Sequence, residues 1–360
     1  MQPRVLIREA EYADCQPAVD AIFAAFRPSL AGKKVLIKPN VLRIATPEEA
    51  VTTHPAVLRA VIAAVERLSP AQITVGDNPG AASYGENRQS FAACGLLEAA
   101  GPYYENLSGR VREITLPSRF LPRAVVPEAL LEADYVINVP KFKTHGLTGI
   151  TAAVKNCFGY LPGAQKANMH LIAGNPFDFA EALLDIFAIR PPDLGIVDGI
   201  LAMEGNGPAG KDIRQLGLIL GGTDMIALDA VIGKIMNFPD GSIRTTVLGG
   251  ERGFGESDIA RITVDGPMRT IEDYLHPEGF LKPAGGSADF WRRLRSLRPV
   301  VTADLCIGCG RCVNECPAGA LLLDGLPIVD APKCITCFCC QEKCPTRAIE
   351  LREPAEERKP

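Results

Sequence analysis

The sequence lacks the marks of several common protein classes. None of its 360 residues falls in an apolar run of about 18, so no segment is predicted to span a membrane. Met1 to Phe26 mixes charges with short apolar stretches and has no secretory h-region. Charge of one sign is scarce. The 38 Lys and Arg against 42 Asp and Glu leave a net charge of −4 and no basic field for nucleic acid. There is no GxxxxGKS/T phosphate loop, no GxSxG nucleophile elbow and no HExxH metal motif. The single GxGxxG, Gly205 to Gly210, is interrupted by Pro208 and is followed by a strand-like run, Leu216 to Leu220. A dinucleotide site needs a helix there, so the Rossmann reading is rejected in favour of a Gly-rich loop near a cleft, with Glu204 and Asn206 as ligand-facing candidates.

Cysteine is the exception to this scarcity. Of 12 cysteines, Cys15, Cys94 and Cys157 are scattered and the other nine follow residue 300. Eight of those nine form a duplicated run, Cys306-x-x-Cys309-x-x-Cys312-x-x-x-Cys316-Pro317 and Cys334-x-x-Cys337-x-x-Cys340-x-x-x-Cys344-Pro345. Three thiolates at three-residue spacing wrap one cubane and leave a corner open, which the fourth cysteine of the other run fills. The expected sets are Cys306, Cys309, Cys312 and Cys344 for one [4Fe-4S] cluster, and Cys334, Cys337, Cys340 and Cys316 for a second. Zinc knuckles would show separated CxxC pairs, and a disulfide framework would need a small secreted chain. Neither predicts this duplication. Free thiolates in this number suit a reducing, cytoplasmic setting. Cys339 is spare to the cluster count, and Phe338 stands where the first run has Gly310, a substitution that shields the second cluster from water.

The remaining length divides into 1–265, a connector at 266–300, the cysteine-rich domain at 301–353 and a charged tail at 354–360. The first part alternates strands (Val5 to Ile7, Val35 to Ile37, Gln72 to Val75, Tyr135 to Val139, Leu194 to Val197, Leu216 to Leu220, Ile259 to Val264) with helices. The helices are read at Gln16 to Phe26, Pro55 to Leu68, Asn87 to Ala100, Thr148 to Phe158, Phe177 to Ile189 and Met225 to Met236. This alternation predicts an α/β fold, a mostly parallel sheet covered by helices on both faces. A short helix is expected around Trp291 in the connector. The cysteine-rich part is expected to be a small α+β ferredoxin-like domain, each half placing a short helix after Cys-Pro and then a strand.

In such sheets ligands bind beyond the carboxyl ends of the strands, and polar residues gather there: Lys38, Asn40, Asp77 and the run Lys141 to His145. The cleft candidates are Asn40, Thr53, His54, Asp77, Lys141, Lys143, Asn156, Lys166 and His170, with Lys38, His145 and Lys155 as candidate catalytic groups. Lysines beside glycine-flanked hydroxyls ahead of a helix suit an anion, against the alternative of a solvated lysine face. Lys38, directly after an apolar strand, is a base or electrophile candidate if desolvated. His54, His145 and His170 show no metal-site spacing and are read as hydrogen-bonding groups. Thr52 and Thr53 offer a hydroxyl cap for the helix at Pro55.

The chain resembles the proteins of domain-of-unknown-function family 362 that carry a C-terminal bacterial-type two-cluster ferredoxin. The resembling residues are Lys38-Pro39-Asn40, Thr52 to Pro55, Gly76 to Gly80, Pro140 to Gly146, Val154 to Gly159, Lys166, His170, Asp198 to Ile200 and Gly205 to Pro208. What that family implies is iron–sulfur binding without an established general reaction. A fainter likeness joins the strand–loop–helix order to the N-terminal half of lactate racemase, and no catalytic role is carried over from it. The expected function is electron transfer through two [4Fe-4S] clusters, from a redox partner protein to a reaction on an anionic small molecule in the α/β cleft. The chain is then a candidate ferredoxin-dependent oxidoreductase with room for a further unidentified cofactor. The alternatives are a non-enzymatic carrier that docks on a partner oxidoreductase, and a metal enzyme built on the histidines.

Overall fold

The computed structural model describes residues 2–80, 86–280 and 296–352. The apolar runs assemble into a nine-stranded mixed sheet. Gln72–Val75, Lys34–Pro39, Tyr135–Val139 and Leu194–Met203 lie side by side and parallel. Ile213–Gly222 pairs antiparallel with both Leu194–Met203 and Arg4–Glu9. Thr263–Asp265 closes that edge parallel to Arg4–Glu9. Period-two alternation sends Val5, Ile7, Leu36 and Val136 into one core and Leu6, Val35, Ile37 and Ile137 into the other. Both faces are buried, which is why the strands read as unbroken apolar runs.

Gln16–Phe26 and Pro55–Glu66 cover one face, and Pro176–Phe187 with Met225–Ile235 the other. The last two start on side-chain caps, Asn175 and Asp224, each accepting two backbone N–H groups. The cap expected from Thr52 or Thr53 comes instead from His54, whose Nδ1 accepts from Ala56 N at 3.1 Å. The helix read at Asn87 to Ala100 divides into Asn87–Ala93 and Leu96–Ala100 at Gly95, which takes a φ of +72°.

Several segments differ from the sequence reading in ways that shape the site. Lys141–His145 is a strand rather than a loop beyond one. Thr148 to Phe158 is not a helix. The β-branched pair Ile150 and Thr151 joins that strand through Gly149–Thr151, and only the short helix Ala153–Asn156 and the 3-10 turn Cys157–Tyr160 follow. A helix that the sequence reading left out, Ala164–Ala173, comes next. The Gly-rich loop joins two antiparallel strands. The connector is partly core: Tyr274 is buried and donates to Met203 O at 3.0 Å, and His276 stacks on Phe238 at 4.2 Å. The helix expected around Trp291 and the tail at 354–360 lie outside the described residues.

In the cysteine-rich part, Arg298–Val301 pairs with Ile349–Arg352, and Leu321–Asp324 with Leu326–Val329. Its two short helices, Arg311–Asn314 and Cys339–Lys343, precede Cys-Pro rather than follow it. A left-handed residue at Gly310 and at Phe338 starts each of them early.

One buried carboxylate couples the fold to the site. Asp229 accepts from Ala153 N at 2.7 Å and Val154 N at 3.1 Å, fixing the short helix that carries Lys155 and Asn156. Burial raises its carboxyl from 3.8 to about 7. Between those values the folded chain holds a proton that the unfolded chain releases. Its contribution is therefore complete below about pH 4 and lost as the pH rises through 7. Asp229→Asn, which cannot ionise, is expected to gain on the parent in melting temperature between pH 5 and 8. Parallel pH profiles of the two proteins would refute the assignment.

Candidate functional site

The strands Lys34–Pro39, Gln72–Val75 and Tyr135–Val139 end on one edge of the sheet, above a cavity of about 250 Å³. Asn40, Asp77, Lys143 and Asn156 line it from the strand ends and the short helix, and Lys166 and His170 from Ala164–Ala173. His145, Lys155 and Thr151 are also on its wall. The remaining wall comes from the cysteine-rich module: Glu315, Cys339, Glu342 and Lys343.

Charges around this space are sorted by their partners. Lys38 is fully buried behind the wall, 2.7 Å from Asp77 Oδ1. Gly159 closes over the pair, and a Cβ there would fall 2.1 Å from Asp77 Oδ1. Lys343 pairs with Glu315 at 3.2 Å. That leaves Lys143 and Lys155 opposed by Glu342, and Lys166 by Asp77. Lys143 donates to Val51 O at 2.7 Å, and burial followed by the neighbouring Lys155 brings its ammonium down to about 7. Lys166 donates to Asn78 O and Pro79 O, and burial lowers it to about 7 as well. The Lys155 ammonium lies 4.6 Å over the Phe158 ring and has no hydrogen-bonding partner among the described residues. Burial first, and Lys155 second, lower His145 to about 4, and burial lowers His170 to about 3. Burial opposes ionisation of Glu342, but His145, 3.4 Å away, together with Lys155 and His170 overcomes it and holds the carboxyl well below the usual range. The cavity is thus a buried, densely charged space, with Lys143, Lys155, Lys166 and Lys343 set against Asp77, Glu315 and Glu342.

Three expected cleft residues lie elsewhere. Thr53 is structural: its hydroxyl accepts from Asn40 N at 2.8 Å and donates to Val139 O at 2.6 Å. Lys141 is paired with Asp198 at 2.9 Å and donates to Tyr12 OH at 2.9 Å, and His54 stacks on Tyr12 at 3.5 Å. The cause is an irregularity in the pairing of Lys141–His145 with Leu194–Met203. Lys141 pairs with Asp198, but Lys143, two residues on, pairs with Met203. Simple alternation would put both lysines on one face, and this bulge separates their heads. The histidines divide in the same way, His54 apart and His145 and His170 together. The module residues Glu342, Lys343, Glu315 and Cys339 had no signal in the sequence, because charged residues within a ligand loop read as solvent-facing.

The cysteines fit an iron–sulfur group. Cys316, Cys334, Cys337 and Cys340 surround a common small void, and Cys306 and Cys316 pack against the core that holds Cys312, Cys340 and Cys344. Cys344 and Cys309 are the charged neighbours of Cys312, while Cys316 neighbours Cys334. Ala320 N and Ala348 N donate to Cys316 Sγ and Cys344 Sγ at 3.3 and 3.1 Å, equivalent bonds in the two halves that favour thiolates. All 12 cysteines are free. Cys339 lines both the small void and the large cavity and is a neighbour of Cys337.

Residues 35–234 match the family model of the domain of unknown function DUF362. The chain belongs to the DUF362 family. Residues 298–345 match a 4Fe-4S dicluster domain, which makes the module an iron–sulfur, ferredoxin-like electron-transfer unit. The thylakoid-associated protein sll1697 of Synechocystis sp. is 37% identical over 216 residues, 59% of this chain and 66% of that relative. The chain therefore spans just under two thirds of the relative's length. The lactate racemase apoprotein from Thermoanaerobacterium thermosaccharolyticum is similar at 12% identity and a TM-score of 0.41, over 64% of this chain and 56% of that one. A Thermotoga maritima protein is similar at 12% identity and a TM-score of 0.39, over 68% and 60%. Among the described residues no helix is long and apolar enough to cross a membrane.

How this DUF362 chain holds its module is written in the repeat. Gly308, Gly310 and Gly319 of the first half take φ values of 66°, 68° and 57°, and the equivalent Thr336, Phe338 and Arg347 take 54°, 66° and 55°. Left-handed backbone costs a non-glycine residue about 1–2 kcal/mol. Each side chain returns that cost at the α/β domain. The Phe338 ring lies against Gly146, where a Cβ would come within 2.3 Å of it. Arg347 Nε donates to Glu49 at 3.0 Å, and Thr336 is buried beside Leu147, His170 and Asn175. The second half is the docking face. The first half meets the α/β domain through Arg311, paired with Glu86 at 3.7 Å, and Glu315 at the cavity, while its Cys309 is exposed and its Ile307 is 67% exposed. Phe338→Gly is expected to relieve about 1–2 kcal/mol of strain and forfeit about 3–5 kcal/mol of packing. The net result is a lower melting temperature and faster bleaching of the iron–sulfur absorbance by chelator. Bleaching at the parent's rate would show that Phe338 protects nothing.

Proposed function

We propose that this protein carries two [4Fe-4S] clusters and uses them in a redox reaction on an anionic small molecule held in the cavity. The observation that carries the reading is the shared wall: Cys339, a neighbour of the ligand candidate Cys337, lines the same space as Lys143, Lys155 and Lys166. The holding residues would be Cys306, Cys309, Cys312 and Cys344 for one cluster and Cys334, Cys337, Cys340 and Cys316 for the other. When bound, they supply one-electron transfer between a redox partner protein at the outward half and the cavity. The lysines bind and orient the anion, Asn40 and Asn156 border it, and the apposition of module and cleft excludes water. His145 and Glu342, in contact, are the groups suited to hold a proton beside it. Lys38, neutralised by Asp77, supports the wall rather than meeting the ligand. A cytoplasmic setting follows from the free thiols, and a further bound cofactor has room in the same cavity.

The second reading, a carrier without a reaction of its own, is favoured by one observation. Ile307, Leu322 and Ile328 are 67%, 64% and 52% exposed on the outward half, a surface suited to a partner protein. Anions separate the two readings. In anaerobically reconstituted protein, with iron and sulfide near eight each, malate or phosphate is expected to alter the electron paramagnetic resonance spectrum of the reduced state. Lys155→Gln should weaken that response by about 10-fold or more, the loss of one charge-assisted hydrogen bond, at unchanged iron content. A spectrum indifferent to every anion would leave only the carrier.

The Cys339 thiol gives an independent check on the shared wall. A donor to a ligand sulfur stabilises the reduced state. Cys339→Ala is therefore expected to lower the midpoint potential of one cluster by on the order of 50 mV and leave the other unchanged. An unshifted pair of potentials would remove Cys339 from the path.

A further inference from the structure

Resting on the anion-cavity reading above, a finer chemical assignment comes from the helix Ala164–Ala173. Its N-cap is Gly163, and no side chain caps its first turn. Gly163, Lys166 and Ala167 all line the cavity, so the uncapped end of a ten-residue helix borders the space that the lysines face. The first N–H groups of a helix have no partner within it, and they carry the positive end of its dipole. Lys166 and His170, one turn apart, are on the same wall.

The second observation is independent of the helix end. Among the described residues, Thr151 Oγ1 and His170 Nδ1 have no hydrogen-bond partner, although their residues are only 4% and 7% exposed and both line the cavity. Asn156 Oδ1 is also without a partner among the described residues. Its orientation is settled, because Nδ2 donates to Asn138 Oδ1 at 2.7 Å and Asn138 Nδ2 donates to Ala153 O at 2.8 Å. Buried polar groups left without partners are costly, and here they gather around one space. The wall therefore offers cationic and N–H donors at one side and a fixed acceptor at Asn156.

We propose that the cavity takes a phosphorylated organic molecule, its phosphoryl group at the Gly163–Ala167 helix end with Lys155 and Lys166, and a hydroxyl or amino donor of its organic part towards Asn156. A multiply charged group with three terminal oxygens matches several lysines and free N–H groups better than a planar carboxylate does. At about 250 Å³ the cavity exceeds a bare phosphate and has space for an organic portion.

The test is calorimetric titration of the iron-loaded full chain with glycerol 3-phosphate, inorganic phosphate and malate. Glycerol 3-phosphate is expected to bind at least tenfold more tightly than malate and more tightly than inorganic phosphate. Ala167→Asp, placing a carboxylate at the helix end, should weaken it at least tenfold at unchanged iron content. If that variant fails to fold, Asn156→Leu serves, expected to bring glycerol 3-phosphate down to the affinity of inorganic phosphate. Malate binding as tightly as glycerol 3-phosphate overturns the phosphoryl assignment and leaves the anion reading standing. Inorganic phosphate binding as tightly as the ester overturns the organic part. No binding of any of the three overturns both the assignment and the reading beneath it.

Discussion

The carboxylate of Glu342 enters a space lined by Lys143, Lys155 and Lys166, and the arrangement of the molecule depends on that charge balance. Removing an ammonium from water costs several kcal/mol unless a counter-charge or a set of acceptors replaces the lost solvation. Lys38 is balanced within the α/β domain by Asp77, and Lys343 within the module by Glu315. Glu342 crosses between them and meets His145. Losing one partner of a buried pair costs about 3–5 kcal/mol, so the two parts of the chain are coupled by electrostatics as well as by packing.

The asymmetry of the repeated module has a mechanical reading. Both halves need the same left-handed turns to wrap their cysteines, and the first half satisfies them with glycine. The second half uses Thr336, Phe338 and Arg347 at those positions, and each reaches the α/β domain. Strain in the backbone is offset by burial and an ion pair. A repeated ferredoxin-like unit thereby acquires one half anchored by all three of its left-handed turns and one whose corresponding turns are bare glycine.

The parts of the fold legible in the sequence were those set by local chemistry. Cysteine spacing marks the iron–sulfur module because loop geometry over three residues is short-range. Apolar runs such as Val35 to Ile37 mark strands because both sheet faces are covered. The site was less legible. Asn40, Asp77, Lys143, His145, Lys155, Asn156, Lys166 and His170 do share one wall, as strand-end and loop positions suggested. Thr53, His54 and Lys141 do not, because one irregularity in strand pairing redirects Lys141 and a backbone N–H claims the Thr53 hydroxyl. The helix expected across Thr148 to Phe158 was lost to a tight hairpin in which Gly149–Thr151 folds back on Lys141–His145, a strand itself held in place by the distant Leu194–Met203.

By itself, then, the sequence determined the thiolate chemistry, the α/β alternation and the presence of lysines near strand ends, all consequences of residue type and short-range spacing. Only the tertiary structure decided which lysines share a cavity, that Lys38 is already neutralised, and that Glu342 and Cys339 belong to the same wall. Those facts depend on contacts between residues some 200 to 300 positions apart, such as His145 with Glu342 and Glu49 with Arg347. Buried electrostatics acts through distance in space, and distance in space between such residues is fixed by packing rather than by any local pattern.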